Sequence, residues 1–318
     1  MRARLMTAAV FAAFTVTAAA QQNTMARPKI TGISHIAVYT SDPAATERYY
    51  TTVVGAVKLS DPETEQGVRY ALSTTQYIEV LPLPAKAAPP GTSIVRLDHI
   101  AFITESAGGM RKYLAAKGWK VPARVQHGAG GMTWFEVRDP EGNKVQFVET
   151  PAKQYAFVLS AFAPDAIGHH IIHVGYMVHS REAEDKFYRD LLGFRPYWWG
   201  GRGGKVEWVS QQVPDGHDWL EYMMVAGAGN GIPADMSQNT LGVLDHFSIG
   251  VVSVPDAYQK LVAANRLGGR HDPAPKIGLD GKYQFNMYDP DGIRTEVMNF
   301  HATEKPCCSP FTAEDPVE

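Results

Sequence analysis

Cysteine is almost absent from this 318-residue chain: the only two, Cys307 and Cys308, are adjacent and near the C-terminal end. They cannot staple a core, and neighbouring residues rarely meet disulfide geometry, so tail thiols are expected, with an intermolecular bridge as the alternative. Basic blocks are missing as well. Thirty Lys and Arg against 33 Asp and Glu give a net charge of -3, and no basic-aromatic stripe appears, which excludes a nucleic-acid partner. Long apolar runs are lacking except for one, Leu5 to Ala20, preceded by Arg2 and Arg4 and followed by polar Gln21-Gln22-Asn23. That pattern predicts a secretory signal peptide, Met1 to Ala20, with an Ala-x-Ala cleavage site after Ala20. The run is short for a span of about 20 residues, and an uncleaved anchor is the alternative. Ala3 separates the two arginines, so there is no twin-arginine signal, and no cysteine follows the run, so there is no lipoprotein signal. The expectation is an exported protein, periplasmic or extracellular, without membrane association once the leader is cleaved.

What is present fits a soluble globular enzyme: 45% hydrophobic and 20% charged residues in a chain long enough for two domains. The organising stretch is Leu244 to Phe300. It opens on Leu244-Asp245-His246-Phe247-Ser248 and closes on Tyr288-Asp289-Pro290-Asp291-Gly292-Ile293-Arg294-Thr295-Glu296. Both ends read as strands, and Asp-Pro-Asp-Gly is a turn signal, because proline presets φ and glycine tolerates positive φ. His246 and Glu296 can then aim inward from separate strands, as ligands suited to a divalent metal.

The same device occurs four times. Strands begin at Ile33-Ser34-His35, Leu97-Asp98-His99, His173-Val174-Gly175 and Leu244-Asp245-His246. Helices are predicted over Pro43 to Val53, Ala107 to Lys117, Ala183 to Leu192 and Pro255 to Arg266, followed by Gly55, Gly118, Gly193 and Gly268 as terminators. From His35 to Gly55 is 20 positions, as from His173 to Gly193; from Asp139 to Gln146 is 7, as from Asp289 to Glu296. Each unit reads strand, helix, three strands, so a unit buries its faces only by pairing. Leu83 to Gly91 reads as a linker between the first two units. The expected division is a leader over 1–20, an N-terminal domain over 30–150, a linker over 151–168, a C-terminal domain over 169–300 and a tail over 301–318.

Four βαβββ units with a strand histidine, a Phe-Tyr-x-x-x-Leu-Gly-Phe helix end and an Asp-Pro-x-Gly turn before a strand glutamate resemble the vicinal oxygen chelate superfamily, the glyoxalase, bleomycin-resistance and extradiol-dioxygenase group. His173 to Phe194 (HVGYMVHSREAEDKFYRDLLGF) is similar to the glyoxalase I signature, with Glu184 where a small residue is usual. The resemblance implies an α+β fold: four modules forming two domains, each a curved mixed β-sheet enclosing a cleft, with helices outside. It implies one divalent metal (Ni, Zn, Co, Mn or Fe(II)) held by His173, Glu221, His246 and Glu296, with Glu296 and Glu221 catalytic. A second set, His35, Glu79, His99 and Gln146, stands in the N-terminal half. Gln146 is a weaker, neutral ligand, so the C-terminal half is favoured, and Glu149 lies at an odd offset facing the other way.

Within the resemblance, a metal-dependent lyase or isomerase acting on a small substrate chelated through vicinal oxygens is preferred. Extradiol enzymes leave the position of Glu221 empty and place a tyrosine ten residues before the glutamate, where this chain has Asn286. An Fe(II) extradiol dioxygenase is the second reading, and a metal-free ligand-binding protein of the bleomycin-resistance kind the third. Asn286, Tyr283 and His271 are the candidate substrate contacts, and a monomer or homodimer is expected. His169 and His170 are read as loop residues, Trp198, Trp199, Trp208 and Trp219 as core and cleft wall, and Gly200 to Gly204 as a flexible turn at the cleft.

Overall fold

A computed structural model describes residues 25–84, 97–151, 166–224 and 244–317. The leader expected over 1–20, residues 85–91 of the first linker and 152–165 of the second lie outside these. The first module runs β1 (Ile30–Thr40), α1 (Pro43–Arg48), β2 (Val57–Ser60), β3 (Val68–Ala71), β4 (Tyr77–Pro82). The second runs β5 (Leu97–Thr104), α2 (Ala107–Ala116), β6 (Gln126–His127), β7 (Thr133–Arg138), β8 (Lys144–Glu149). The third is β9 (His170–Val178), α3 (Arg181–Asp185), β10 (Arg195–Gly200), β11 (Trp208–Gln212), β12 (Trp219–Met224). The fourth is β13 (Leu244–Val251), α4 (Val254–Ala263), β14 (Lys276–Ile277), β15 (Tyr283–Tyr288), β16 (Arg294–Asn299). His170 is therefore the first residue of β9, not a loop residue; its Nε2 meets Asp218 Oδ1 at 2.7 Å.

The strands form two eight-stranded mixed sheets, ordered β2-β3-β4-β1-β5-β8-β7-β6 and β10-β11-β12-β9-β13-β16-β15-β14. One topology is written twice, so the modules pair within the chain, first with second and third with fourth. In each sheet an antiparallel central pair, β1 with β5 or β9 with β13, is flanked by parallel partners. Alternation sorts the residues: His35, Ala37 and Tyr39 share one face of β1, while Ile36 and Val38 on the other enter the core.

Each helix starts on a side-chain cap, with Asp42, Ser106, Ser180 and Ser253 accepting from the backbone N–H three residues on. The first and third helices end where the glycines predict, at Gly55 and Gly193 with φ of 83° and 80°. Their second halves differ from the expected α-helix: Tyr49–Val54 and Lys186–Leu191 are π-helical turns. These wider turns place Tyr49, Tyr50, Phe187 and Tyr188 in the core.

A single apolar cluster runs through both halves. Phe102 meets Phe194 edge-on at 5.3 Å, and Trp119 lies 4.7 Å from Phe187. Each such side chain contributes about 1.5–3 kcal/mol when fully buried. The Asp-Pro-x-Gly turns then reach across to cap the other half's helices. Glu141 Oε1 accepts from His179 N (2.8 Å) and Ser180 N (2.6 Å), and Asp291 Oδ2 accepts from Ser41 N (2.9 Å). A carboxylate at a helix N-terminus is favourable.

The tail packs on β10 and the loop before β15: Cys307 N donates to Leu279 O (2.7 Å) and Trp198 Nε1 to Cys307 O (3.2 Å). Here the expectation of free thiols is corrected, because Cys307 and Cys308 are bonded to each other. The docked tail turns at Cys308, whose φ is 74°, and holds the two side chains side by side. Among the described residues no helix is long and apolar enough to cross a membrane.

Glu184, at the position where the resemblance leads one to expect a small residue, is fully buried and accepts from Glu141 N (3.1 Å). Burial, then the neighbouring Asp139 and Glu141 carboxylates, push its pKa from 4.5 up to about 9. The folded chain keeps a proton that the unfolded chain releases, so this residue's contribution is fully present below pH 4.5 and is lost as pH rises toward 9. Thermal melts should therefore show Tm falling between pH 5 and 9 more steeply for the natural protein than for Glu184→Gln. Equal slopes would mean that Glu184 is ionised in the fold.

Candidate metal centre

In the C-terminal sheet four adjacent strands, β12, β9, β13 and β16, each deliver one side chain to the same patch. Register sets them in two rows: Glu221, Gly175, His246, Arg294, and Trp219, His173, Ser248, Glu296. Small residues separate the ligand candidates. A Cβ on Gly175 would lie 2.4 Å from His246 Cε1, so the absent side chain makes room for the ring. His173 stacks on Trp219 with centroids 4.5 Å apart.

His173 Nε2 and His246 Nε2 are 2.7 Å apart. Glu296 Oε2 lies 3.2 Å from His173 Nε2 and 3.7 Å from His246 Nε2, and Glu221 Oε2 lies 3.6 Å from His246 Nε2. Ligands about 2.1 Å from a tetrahedral ion sit roughly 3.4 Å from one another. The donor set is imidazole and carboxylate, and Glu296 Oε2 is buried without an aligned hydrogen bond. The residues fit a divalent metal. Burial would raise the Glu296 carboxyl, but His246, His173 and Arg294 overcome it and hold the group at about 2. Burial, with His246 adding, lowers His173 to about 4 despite Glu296. At neutral pH Glu296 is thus ionised and His173 neutral, the forms that ligate.

A cavity of about 360 Å³ opens over this patch, lined among others by Trp198, Arg202, Trp208, Lys276 and Asn286. Asn286 lies opposite Glu296 in the β15–β16 register, its Nδ2 donating to Asp272 Oδ2 at 2.8 Å. The other two expected substrate contacts, Tyr283 and His271, do not line this cavity. Tyr283 shares a strand face with Phe285 and Met287 and packs against the core, while the cavity face of β15 carries Gln284 and Asn286. His271 bridges to Met287, and its Nδ1 meets Asp272 O at 2.7 Å, outside the cavity lining. A larger cavity, about 1030 Å³, lies beside α4 and shares no lining residue with either histidine patch.

The N-terminal sheet repeats the arrangement, with rows Glu79, Ala37, His99, Lys144 and Tyr77, His35, Ala101, Gln146. His35 Nε2 is 3.1 Å from His99 Nε2, and Glu79 Oε2 lies 3.5 Å and 3.6 Å from the two rings. His35 stacks on Tyr77 at 4.3 Å. Burial, then His99 and Arg69, push His35 well down, and burial, then Asp61 and Glu63, push Glu79 well up. One member was not foreseen: Glu63, from the loop between β2 and β3, has Oε2 accepting from Gln146 Nε2 at 2.7 Å. Burial above all pushes Glu63 up to about 7. A loop carries no periodic signal, so only charge pointed to this residue. Glu149 faces away, as expected, accepting from Ala107 N at the start of α2 (3.0 Å).

Compared by sequence with curated proteins, the chain has no match. Among solved structures it is similar to the Mn(II)-bound glyoxalase from Novosphingobium aromaticivorans, at 17% identity and TM-score 0.61, covering 86% of this chain and 83% of that one. It is also similar to homoprotocatechuate 2,3-dioxygenase from Brevibacterium fuscum, in complex with 3,4-dihydroxyphenylacetate, at 16% identity and TM-score 0.61, covering 91% and 84%. The enzyme of that name from Arthrobacter globiformis gives 16% identity and TM-score 0.62, covering 88% and 84%. At these identities the likeness is one of fold. A family model matches twice, over residues 32–147 and 170–297, one span in each sheet. The chain belongs to the Glyoxalase/Bleomycin resistance protein/Dioxygenase superfamily.

Proposed function

We propose that the chain is a metal-dependent lyase or isomerase of this superfamily, acting in the C-terminal sheet on a small substrate held through two vicinal oxygens. The observation that carries this reading is the four-strand convergence of Glu221, His173, His246 and Glu296, two imidazoles and two carboxylates. A divalent ion held by these four would supply Lewis-acid stabilisation of negative charge developing on the substrate oxygens. Glu221 is the less buried carboxylate and faces the cavity, with Ser210 Oγ donating to its Oε1 (3.3 Å). Its carboxylate would take a proton from a bound substrate and return it at a neighbouring atom, which is general base then general acid catalysis. Arg202 and Lys276 line the same small cavity and favour a carboxylate-bearing substrate, of the hydroxy-acid or dicarbonyl class.

Arg294 Nη2 stands 2.7 Å from His246 Nδ1. A guanidinium only donates, so Nδ1 accepts, and Nε2 carries the ring proton toward His173.

A ring-cleaving dioxygenase is the second reading. Its supporting observation is that Ser210 can hold Glu221 aside, leaving the two-histidine, one-carboxylate set of non-haem iron. Export, supported by the Met1 to Ala20 pattern, is part of the proposal, and N-terminal sequencing beginning at Gln21 would bear it out.

Elemental mass spectrometry of the purified protein should find His246→Ala and Glu296→Ala each short of one equivalent of metal relative to the unaltered chain. Nickel, zinc or cobalt there supports the lyase or isomerase, and iron the dioxygenase; unchanged metal in both variants would withdraw the site. Separately, imidazole NMR of the metal-free protein should show His173 neutral down to about pH 5, since burial sets its pKa near 4. Titration of that ring near 6.5 would show it to be solvated.

A further inference from the structure

The N-terminal patch differs from its C-terminal counterpart in one ligand candidate and in one loop. Gln146 occupies the strand position that Glu296 holds in the other sheet. An amide there removes a charge, and by sequence the patch reads as a degenerate copy. The loop between β2 and β3 reverses that. Glu63 enters the patch with its carboxylate against the Gln146 amide, Oε2 to Nε2 at 2.7 Å and Oε1 to His35 Nε2 at 3.8 Å.

We infer that His35, His99, Glu79 and Glu63 form a second divalent-metal site, in which a loop carboxylate replaces the strand carboxylate of the C-terminal sheet. The inference rests on residues separate from those of the proposed catalytic site and goes beyond that reading.

Four observations carry it. The donor set is restored to two imidazoles and two carboxylates. His35 Nε2 lies 3.1 Å from His99 Nε2, 3.5 Å from Glu79 Oε2 and 3.8 Å from Glu63 Oε1, and His99 Nε2 lies 3.6 Å from Glu79 Oε2, distances around the roughly 3.4 Å between ligands of a tetrahedral ion. Glu79 Oε2, on a side chain only 3% exposed, and Glu63 Oε1 are buried without an aligned donor, with the Asp61 carboxylate beside Glu79, a cluster that is costly unless a cation or a proton meets it. The fourth is that the patch is braced from behind. Asp98 Oδ2 lies 2.7 Å from His99 Nδ1 and accepts from Lys144 Nζ (2.8 Å), while Asp98 Oδ1 accepts from the Tyr39 hydroxyl. A carboxylate on Nδ1 fixes the proton there and turns the Nε2 lone pair into the patch, the usual support for a metal-bound histidine.

The loop is built to stay in place. Glu63 N donates to Asp61 Oδ1 (2.7 Å), and Ala129 N to Pro62 O (3.2 Å), tying it to the segment after β6. The matching loop of the third module presents Arg202 to its cavity instead. A cavity of about 600 Å³, larger than that over the C-terminal patch, opens on Glu63, Glu79 and His99 between Tyr39, Trp134 and Lys144. An ion held there would be reachable by a small oxygen ligand.

The test is the Mn(II) stoichiometry of the full chain, by elemental analysis after reconstitution and by titration followed by electron paramagnetic resonance. The unaltered chain should hold two equivalents. The His246→Ala/Glu296→Ala double variant should retain about one, and adding Glu63→Gln should remove it. Glu63→Gln and His99→Ala in the otherwise natural chain should each lower two equivalents to one, with unchanged circular dichroism. Loss of all Mn(II) in the double variant, or full retention in Glu63→Gln, would overturn the inference. A double variant that keeps one equivalent and also keeps the proposed activity would count against the catalytic reading and leave this site standing.

Discussion

The structure depends on the antiparallel pairing of the strands that open consecutive modules. β9 against β13 sets His173 and His246 with their Nε2 atoms 2.7 Å apart, and β1 against β5 does the same for His35 and His99 at 3.1 Å. Everything else at each patch is arranged around that contact. Parallel neighbours on either side add one residue each, small residues between them leave room for the rings, and an aromatic side chain stacks beneath the outer histidine. A one-residue slip of register would turn each histidine into the core. The hydrophobic alternation of Ile36 and Val38, or of Val174 and Tyr176, therefore fixes the chemistry as well as the fold.

The two copies have diverged at the supporting residues more than at the histidines. Lys144 and Arg294 share one position, as do Gln146 and Glu296. Lysine salt-bridged to Asp98 leaves the carboxylate to orient His99, whereas arginine at His246 Nδ1 sets that ring's tautomer the other way. The halves thus differ in how readily a ring nitrogen is presented, and in which element brings the last carboxylate. A shared core and reciprocal helix caps keep them as one body, so a change at one turn, such as Glu141 or Asp291, is felt by the other half's helix.

The fold was largely legible because the repeat is carried by spacing: histidine to helix-ending glycine, and turn aspartate to strand ligand. Pairing order follows from the same repetition, since a lone module cannot cover its sheet. The ligand candidates His173, Glu221, His246 and Glu296 were legible as a pattern, and the structure brings them together. What escaped lies off that period. Glu63 comes from a loop with no alternation to place it. Tyr283 and His271 lie near Asn286 in sequence, but strand alternation turns Tyr283 to the core side. Cys307 and Cys308 are joined through a tail whose docking on β10 has no sequence signal. Glu184 reads as an anomaly in the signature until Glu141, from the other half, is seen to donate to it.

The measurement that bears most directly on the central claim is an anomalous diffraction map from crystals grown with Mn(II). The account predicts a peak in the C-terminal sheet bonded by His173 and His246 through Nε2 and by Glu296, with Glu221 as the fourth ligand. Density that shows no ion among these residues at saturating Mn(II), or an ion that Glu296 does not touch, would contradict it.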